Sequence, residues 1–337
     1  MTHPFVTILM PVHNGAEFLA EAIDSMLRQS LRDFEFLIVD DASTDSSASI
    51  VQNYPDPRIR LIQSREHLKL SGALNLGLDQ AKGRYIARMD ADDISLPKRL
   101  ERQVRFLENN PDIGLCGTWI RHFGASTALL ERPVNPEDIR AFTLLDTPFA
   151  HPSVMLRRDL MEHHHLRFDS HYFPTEDFEL WTRILRHTQA ANLPEVLLHY
   201  RVHGSSLTGS DWSTMDEQAV RIIRTKLLLL GLDPTPDELR FHRQLAMGRL
   251  AMTKLLLDQA EVWLPRLLAA NQKTLLFQPE ALESLLADLW ARTCLHSARL
   301  GFEVVSRYAA SSLSSTDTRK FRRQWLIRLA ALKAKLT

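Results

Sequence analysis

Residues 5–15 read Phe-Val-Thr-Ile-Leu-Met-Pro-Val-His-Asn-Gly, and this stretch decides the fold. The run from Phe5 to Pro11 has strand length and no polar face, so it is expected to be a buried strand. Phe18, Leu19, Ala22, Ile23, Met26 and Leu27 then recur at helical spacing. The same strand-then-helix step repeats. Phe34 to Val39 is a second strand, Ser43 or Thr44 is placed to cap a helix through Val51, Ile59 to Ile62 is a third strand, and a helix covers Gly72 to Ala81. Tyr85 to Met89 makes a fourth strand, and Pro97 opens the helix carrying Leu100, Val104 and Leu107. This alternation predicts an α/β fold, a mostly parallel sheet flanked by helices, with ligands bound beyond the carboxyl ends of the strands.

After Ser210 the pattern changes to long helical stretches rich in Leu, Ala and Arg, with Pro234, Pro236, Pro265 and Pro279 expected as breaks. The expected organisation is a catalytic domain over 1–210 and a helical region over 211–337. The 337 residues are 45% hydrophobic and 24% charged, enough for a sizeable core. Basic and acidic residues both number 41, so no overall field favours nucleic acid. Cys116 and Cys294 stand far apart without metal-ligand spacing, which suits a reducing compartment. No leader pattern and no run of roughly 18 apolar residues is present, so a cytoplasmic location is expected.

The polar residues that follow the strands carry the chemistry: Asn14, then Asp40 and Asp41, then Asp90, Asp92 and Asp93. Crowded carboxylates resist joint ionisation, and a divalent cation with a preference for oxygen ligands, Mn²⁺ or Mg²⁺, relieves them. A solvated acidic turn remains the alternative for the Asp90 cluster, and a turn with a helix cap for Asp40 and Asp41. At the end of a strand a carboxylate can also accept hydrogen bonds from a nucleobase or a ribose.

In order and spacing, Met10-Pro11-Val12-His13-Asn14-Gly15, Val39-Asp40-Asp41-Ala42-Ser43-Thr44-Asp45 and Met89-Asp90-Ala91-Asp92-Asp93 resemble family-2 glycosyltransferases. Pro97-Lys98-Arg99-Leu100, His151-Pro152-Ser153-Val154-Met155, Thr175-Glu176-Asp177 with Leu180-Trp181, and Tyr200-Arg201-Val202-His203 extend the resemblance over the first 205 residues or so. It implies the GT-A fold with a Rossmann-like nucleotide-binding half, and an inverting transfer from a nucleotide-diphosphate sugar, by family habit UDP-linked. The acceptor implied is a hydroxyl of a glycan or lipid-linked glycan, as in bacterial polysaccharide or lipopolysaccharide assembly.

By the same resemblance Pro11 and Asn14 line the nucleotide pocket, Asp41 holds the base, Asp90 touches the ribose side and Asp92 binds the metal; Asp40, beside Asp41 at the strand end, is counted with the residues that bind the donor nucleotide. Asp177 is the expected base. Glu176 and His151 stand on the acceptor side, His203 reaches the diphosphate or its metal, and Arg201 offers a fork of donors to the phosphates. Packing is the alternative for His151, and stabilisation of a helix dipole for Glu176 and Asp177. The run His163 to His165 reads as a solvated helix end. Relatives often carry a cation where Leu74 stands here; Arg65, Lys69 and Arg88 are the available substitutes. The Gln-x-x-Arg-Trp element of processive synthases is absent, which favours single additions. A dinucleotide-binding oxidoreductase would need a glycine-rich turn after the first strand, and none is there. The different-class rival is a silent nucleotide- or glycan-binding scaffold on the same fold.

From Arg319 to Lys335 basic residues recur, while Phe321, Trp325, Leu329, Leu332 and Leu336 fall on one helical face. Two readings stay open: a peripheral contact with the inner face of the membrane through 319–336, or a helix packing that face on its own domain.

Overall fold

A computed structural model describes residues 4–204, 212–249, 253–315 and 319–336. β1 (Val6–Val12), α1 (Leu19–Leu27), β2 (Phe34–Asp40), α2 (Ser47–Gln52), β3 (Ile59–Gln63), α3 (Lys69–Gln80) and β4 (Tyr85–Arg88) alternate as the apolar pattern predicts. Every residue of β1 is buried. One face meets Leu19, Ala22, Ile23 and Met26 of α1 in a common core, and the other packs Leu9 with Ala73, Leu74 and Leu78 of α3. Each of the buried Leu, Ile and Met side chains contributes roughly 1.5–3 kcal/mol relative to exposure. Gly77 permits the α3 contact, since a Cβ there would lie 2.1 Å from Leu9 Cδ1.

The chain continues through β5 (Ile94–Ser95), α4 (Arg99–Asn109), β6 (Ile113–Gly124), β7 (Leu129–Leu130), α5 (Pro136–Phe142), β8 (Met155–Arg157), α6 (Arg158–His163), α7 (Glu176–Ile184) and β9 (Gln189–Val202). The sheet runs β3-β2-β1-β4-β8-β6-β9-β5, with β7 paired to β6. Its first four strands are parallel and in step, Val6 opposite Phe34 and Tyr85, Val12 opposite Asp40, and Asp40 opposite Gln63. That register delivers the residues after β1, β2 and β3 to one edge. Beyond β4 the pattern changes: β8 is antiparallel to β4 and β6, and β9 is parallel to β6 but antiparallel to β5.

Two local expectations are corrected. α2 begins at Ser47 rather than after Ser43 or Thr44, because Ser43 Oγ accepts the Asn14 N–H at 3.0 Å and the Thr44 N–H donates to Asn14 Oδ1 at 2.8 Å. α3 begins at Lys69, one turn before Gly72.

The chain divides into two units, 1–139 with 147–218, and 140–146 with 219–337. The expected domain boundary at 210/211 lies outside the described residues. The second unit is helical, following α8 (Trp212–Leu229): α9 (Pro236–Met247), α10 (Lys254–Thr274), α11 (Pro279–His296), α12 (Phe302–Ala310), α13 (Ser312–Ser315) and α14 (Lys320–Leu336). Pro236 and Pro279 open α9 and α11, where their missing N–H is harmless. Thr235 and Glu238 form a reciprocal capping box, and Gly248 ends α9 in the left-handed conformation. Pro265, expected as a break, lies inside α10. Burial of Leu256, Leu257, Ala260, Trp263, Leu264 and Leu267 outweighs the roughly 3 kcal/mol that an interior proline costs. Among the described residues no helix is long and apolar enough to cross a membrane.

Candidate active site

At the carboxyl edge of the parallel strands lies a crevice of about 620 Å³. Pro11 to Gly15 run from the end of β1 into it, Asp41 follows β2, His67, Lys69, Leu70 and Ala73 come from the entry and first turns of α3, and Asp90 to Asp92 follow β4. Phe18, Phe173 and His203 complete the wall. Most of the residues expected at the donor site therefore converge, although they are spread from 11 to 203. The backbone bends sharply at this rim: Asn14, Ala42 and Lys69 have φ of 51°, 55° and 61°. Non-glycine residues adopt the left-handed region at a cost, so the surrounding contacts must hold them there.

Asn14 supplies much of that hold. Its Oδ1 accepts the N–H groups of Thr44 and Asp45 at 2.8 and 3.3 Å, while the Gly15 and Ala16 N–H groups donate to Ser47 Oγ and Asp45 Oδ2. The loops after β1 and β2 are thus stitched together, and the Asn14 carbonyl is already engaged. Asp41 Oδ1 accepts the Leu68 N–H at 2.6 Å, and His67 Nδ1 lies 3.0 Å from Asp41 Oδ2. His13 Nδ1 is 2.7 Å from the Asp41 carbonyl oxygen, and the His13 and His67 rings are 4.1 Å apart. Asp40 is corrected: it is buried and turned into the loop, where Oδ1 accepts the Ser43 N–H at 3.2 Å, so it shapes the turn instead of lining the crevice.

The cluster after β4 is electrostatically crowded. Carboxylate oxygens of Asp90, Asp92 and Asp93 lie within 4.8 Å of one another. Burial, with repulsion from its neighbours, raises the Asp93 carboxyl well above the usual range. Asp90 is raised by burial and by Asp92, against the opposing pull of Arg88, with which it forms an ion pair. Asp93 Oδ1 accepts the Arg201 N–H at 2.8 Å, whereas Oδ2 is buried without a hydrogen-bond partner among the described residues. Three hard oxygen donors with an unmet acceptor between them suit a divalent cation such as Mg²⁺ or Mn²⁺. His203 Nε2 lies 2.9 Å from Asp92 Oδ2 and its ring rests 5.0 Å from that of Phe18, so it orients the aspartate.

Arg201 is placed differently from its expectation. Its guanidinium carbon sits 4.3 Å from the Phe18 ring centroid and 4.4 Å from that of Phe123. Nε donates to the Asp92 carbonyl at 2.8 Å and Nη2 to Glu21 at 2.5 Å. The side chain is consumed in bracing Asp92 and is not among the crevice residues. Arg99 braces the same segment from the core: fully buried, it donates through Nη2 to the Arg88 carbonyl at 2.5 Å, and burial lowers its pKa to about 10. Of the cations considered as substitutes at position 74, Lys69 lines the crevice and Arg88 serves Asp90, while Arg65 is exposed elsewhere; Leu74 itself is buried in the core.

Glu176 and Asp177 open α7 as expected. Glu176 is buried with Oε2 unpartnered among the described residues, and burial together with Asp177 pushes its pKa up to about 8. Half-buried Asp177 accepts its neighbour Phe178's N–H at 2.6 Å through Oδ1. Neither acid is among the crevice residues, but Phe173 of the preceding loop is. His151 takes the packing alternative: its ring lies 5.5 Å from Phe168 and edge-on to Trp181 at 5.8 Å, and burial holds its pKa well below that of a free imidazole. His163 to His165 end α6 exposed, as read.

Reading the sequence missed His13, Phe18, His67 and Phe173 in the crevice wall. The parallel alternation could have yielded His67, since the residues after the third strand must reach the same edge. Phe173 has no local signal, because it arrives from a loop distant in sequence.

Known proteins resemble this chain in sequence and in fold. The model of glycosyl transferase family 2 matches residues 7–164. The O-antigen biosynthesis glycosyltransferase WbnJ of Escherichia coli is 34% identical over 209 residues, covering 60% of this chain and 81% of that protein. Among solved structures, S. aureus TarS 1-349 in complex with UDP-GlcNAc superposes with a TM-score of 0.57 at 17% identity, covering 94% of this chain and 91% of that one. The mannosyltransferase PcManGT of Pyrobaculum calidifontis, in complex with GDP-Man and Mn²⁺, gives 0.50 at 19% identity, covering 99% and 88%. These two share the fold, and the sequence relatives share the family. The chain belongs to glycosyl transferase family 2.

Proposed function

We propose that the crevice binds a nucleotide-diphosphate sugar, with UDP as the first nucleotide to test, and that the enzyme transfers the sugar with inversion to a hydroxyl of a glycan or lipid-linked acceptor in bacterial surface-polysaccharide assembly. The observation that carries this reading is that Asp90 and Asp92 line the same crevice as Pro11, Asn14 and Asp41, with buried Asp93 beside them in one carboxylate cluster. The polysaccharide setting draws on the kinship with WbnJ, and the donor class on the ligands of the two solved neighbours.

In this reading Asp41, with His67 beside it, receives the base, Pro11 and the Asn14 turn shape the pocket, and Asp90 meets the ribose side. Asp92 and Asp93 would hold the divalent cation, with His203 and Arg201 fixing Asp92. When bound, such an ion supplies Lewis-acid stabilisation of charge on the leaving diphosphate. Asp177 takes the proton from the attacking hydroxyl, and an in-line attack on the anomeric carbon inverts its configuration. Buried and protonated at neutral pH, Glu176 adds no second negative charge beside that base.

Calorimetric titration of UDP, GDP, CDP and dTDP with and without Mn²⁺ tests the reading without a known acceptor. One nucleotide is expected to bind in a Mn²⁺-dependent way, with loss of that dependence in Asp92→Ala. Equal affinity with and without the ion would remove the metal assignment. Binding without transfer to any glycan acceptor would leave the scaffold.

A further inference from the structure

The two uses open to the apolar positions of 319–336 are separated by the orientation of α14. The helix packs through Ile327 and Ala331, which are 1% and 0% exposed, against α11, α12 and the turn at Ser297–Leu300. Phe321, Trp325 and Leu332 point the other way and are 87%, 59% and 42% exposed. With Arg328, also exposed, they lie at i, i+4, i+7 and i+11 and form one stripe facing solvent. Arg322, Leu326 and Lys333 flank it, also exposed. The packing alternative for this apolar face is thereby excluded for Phe321, Trp325 and Leu332. The side chains of Lys335 and Leu336, two members of the expected pattern, lie outside the described residues.

Charge tells what fits the stripe. Residues 319–336 hold Arg319, Lys320, Arg322, Arg323, Arg328, Lys333 and Lys335 and no acidic residue. Arg319 and Arg323 are turned back onto Asp288 of α11, which leaves the excess positive charge around the exposed aromatic rings. A second copy docking face to face would set these cations against one another. An anionic lipid surface complements both features, because Trp and Phe enter the headgroup boundary while Arg and Lys meet its phosphates.

We propose that α14 is an interfacial anchor that lies on an anionic membrane through Phe321, Trp325 and Leu332, with Arg322 and Arg328 contacting lipid phosphates. The experiment is sedimentation of the full chain with phosphatidylcholine vesicles, neutral or carrying about one third phosphatidylglycerol, over a range of salt. The chain should pellet with the anionic vesicles and be released as salt rises. Removing cations in Arg322→Ala and Arg328→Ala should weaken partitioning about fivefold each. Phe321→Ser with Trp325→Ser should weaken it about tenfold or more, with the melting temperature kept because both side chains are exposed.

No pelleting of the unaltered chain at low salt would overturn the proposal, as would equal pelleting of all variants. A concentration-dependent dimer that Trp325→Ser dissolves, in a protein that stays in the vesicle supernatant, would assign the stripe to a second copy instead. Neither donor nor acceptor is present in the assay, so its failure leaves the transferase reading untouched.

Discussion

Two buried polar clusters in this protein solve the same problem in opposite ways. In the helical unit His242 is fully buried, with Nε2 at 2.8 Å from the Leu144 carbonyl and Nδ1 accepting the Trp263 Nε1–H at 2.9 Å. Both ring nitrogens are satisfied, one tautomer is fixed, and burial lowers the pKa to about 4. After β4, by contrast, Asp90, Asp92 and Asp93 crowd one another, and Asp93 keeps an oxygen without a partner among the described residues. A satisfied buried polar group specifies packing, whereas crowded carboxylates with an unmet acceptor beside a crevice are the kind of arrangement that a ligand relieves. Both display shifted pKa values; only the count of partners tells them apart.

The largest effect expected from breaking this contrast is on turnover. Asp177→Asn should lower kcat by about 10²–10⁴ while nucleotide affinity and melting temperature stay put, since only the proton acceptor is lost. Normal turnover would move the base elsewhere. The second effect is on stability. An imidazole whose folded pKa is lowered from 6.5 to about 4 contributes stability that is present above 6.5 and lost as pH falls toward 4. The loss should reach about 3 kcal/mol in urea titrations across that window. Were the slope unchanged in His242→Gln, another group would be responsible.

Glu176 gives the opposite slope and a sharper test of the catalytic unit. Its folded pKa is raised to about 8 from 4.5, so its contribution is present below 4.5 and lost as pH climbs through 8. Glu176→Gln should flatten stability between those limits, and an unaltered profile would show the acid to be solvated. The smallest expected effect is at Asn14. Removing its carbonyl in Asn14→Ala should cost about 1 kcal/mol, seen as a modest fall in melting temperature with weaker nucleotide binding, because the stitched loops form the pocket floor. Full affinity in this variant would show that the stitching is dispensable.

The parallel half of the fold was legible because its strands are short apolar runs, β1 and β4 buried throughout, and its helices repeat their apolar residues at helical spacing, patterns carried by neighbouring residues. Asp90, Asp92 and His203, singled out in the sequence and the last only through the resemblance, stand in the crevice wall. The second half of the sheet was not: β6, β8 and β9 carry no simple alternation that tells parallel from antiparallel, and their pairing depends on which edge β4 leaves open. Arg201 was misread for a related cause. Its residue type suits phosphate, but Phe18 and Phe123, far from it in sequence, close around the guanidinium and turn it onto Asp92.

By itself the sequence determined the alternation of strands and helices through β4, the carboxylates at the strand ends, the change to helices after Ser210, and the family. Those features depend on residues within a turn or two of one another, where local sterics and periodicity act. The tertiary structure alone decided that Asp40 turns away while Asp41 faces the crevice, that Pro265 is absorbed within α10, and that α14 shows its aromatic stripe to solvent. Each of these is a competition between local preference and burial against distant partners, and only the folded chain brings those partners together.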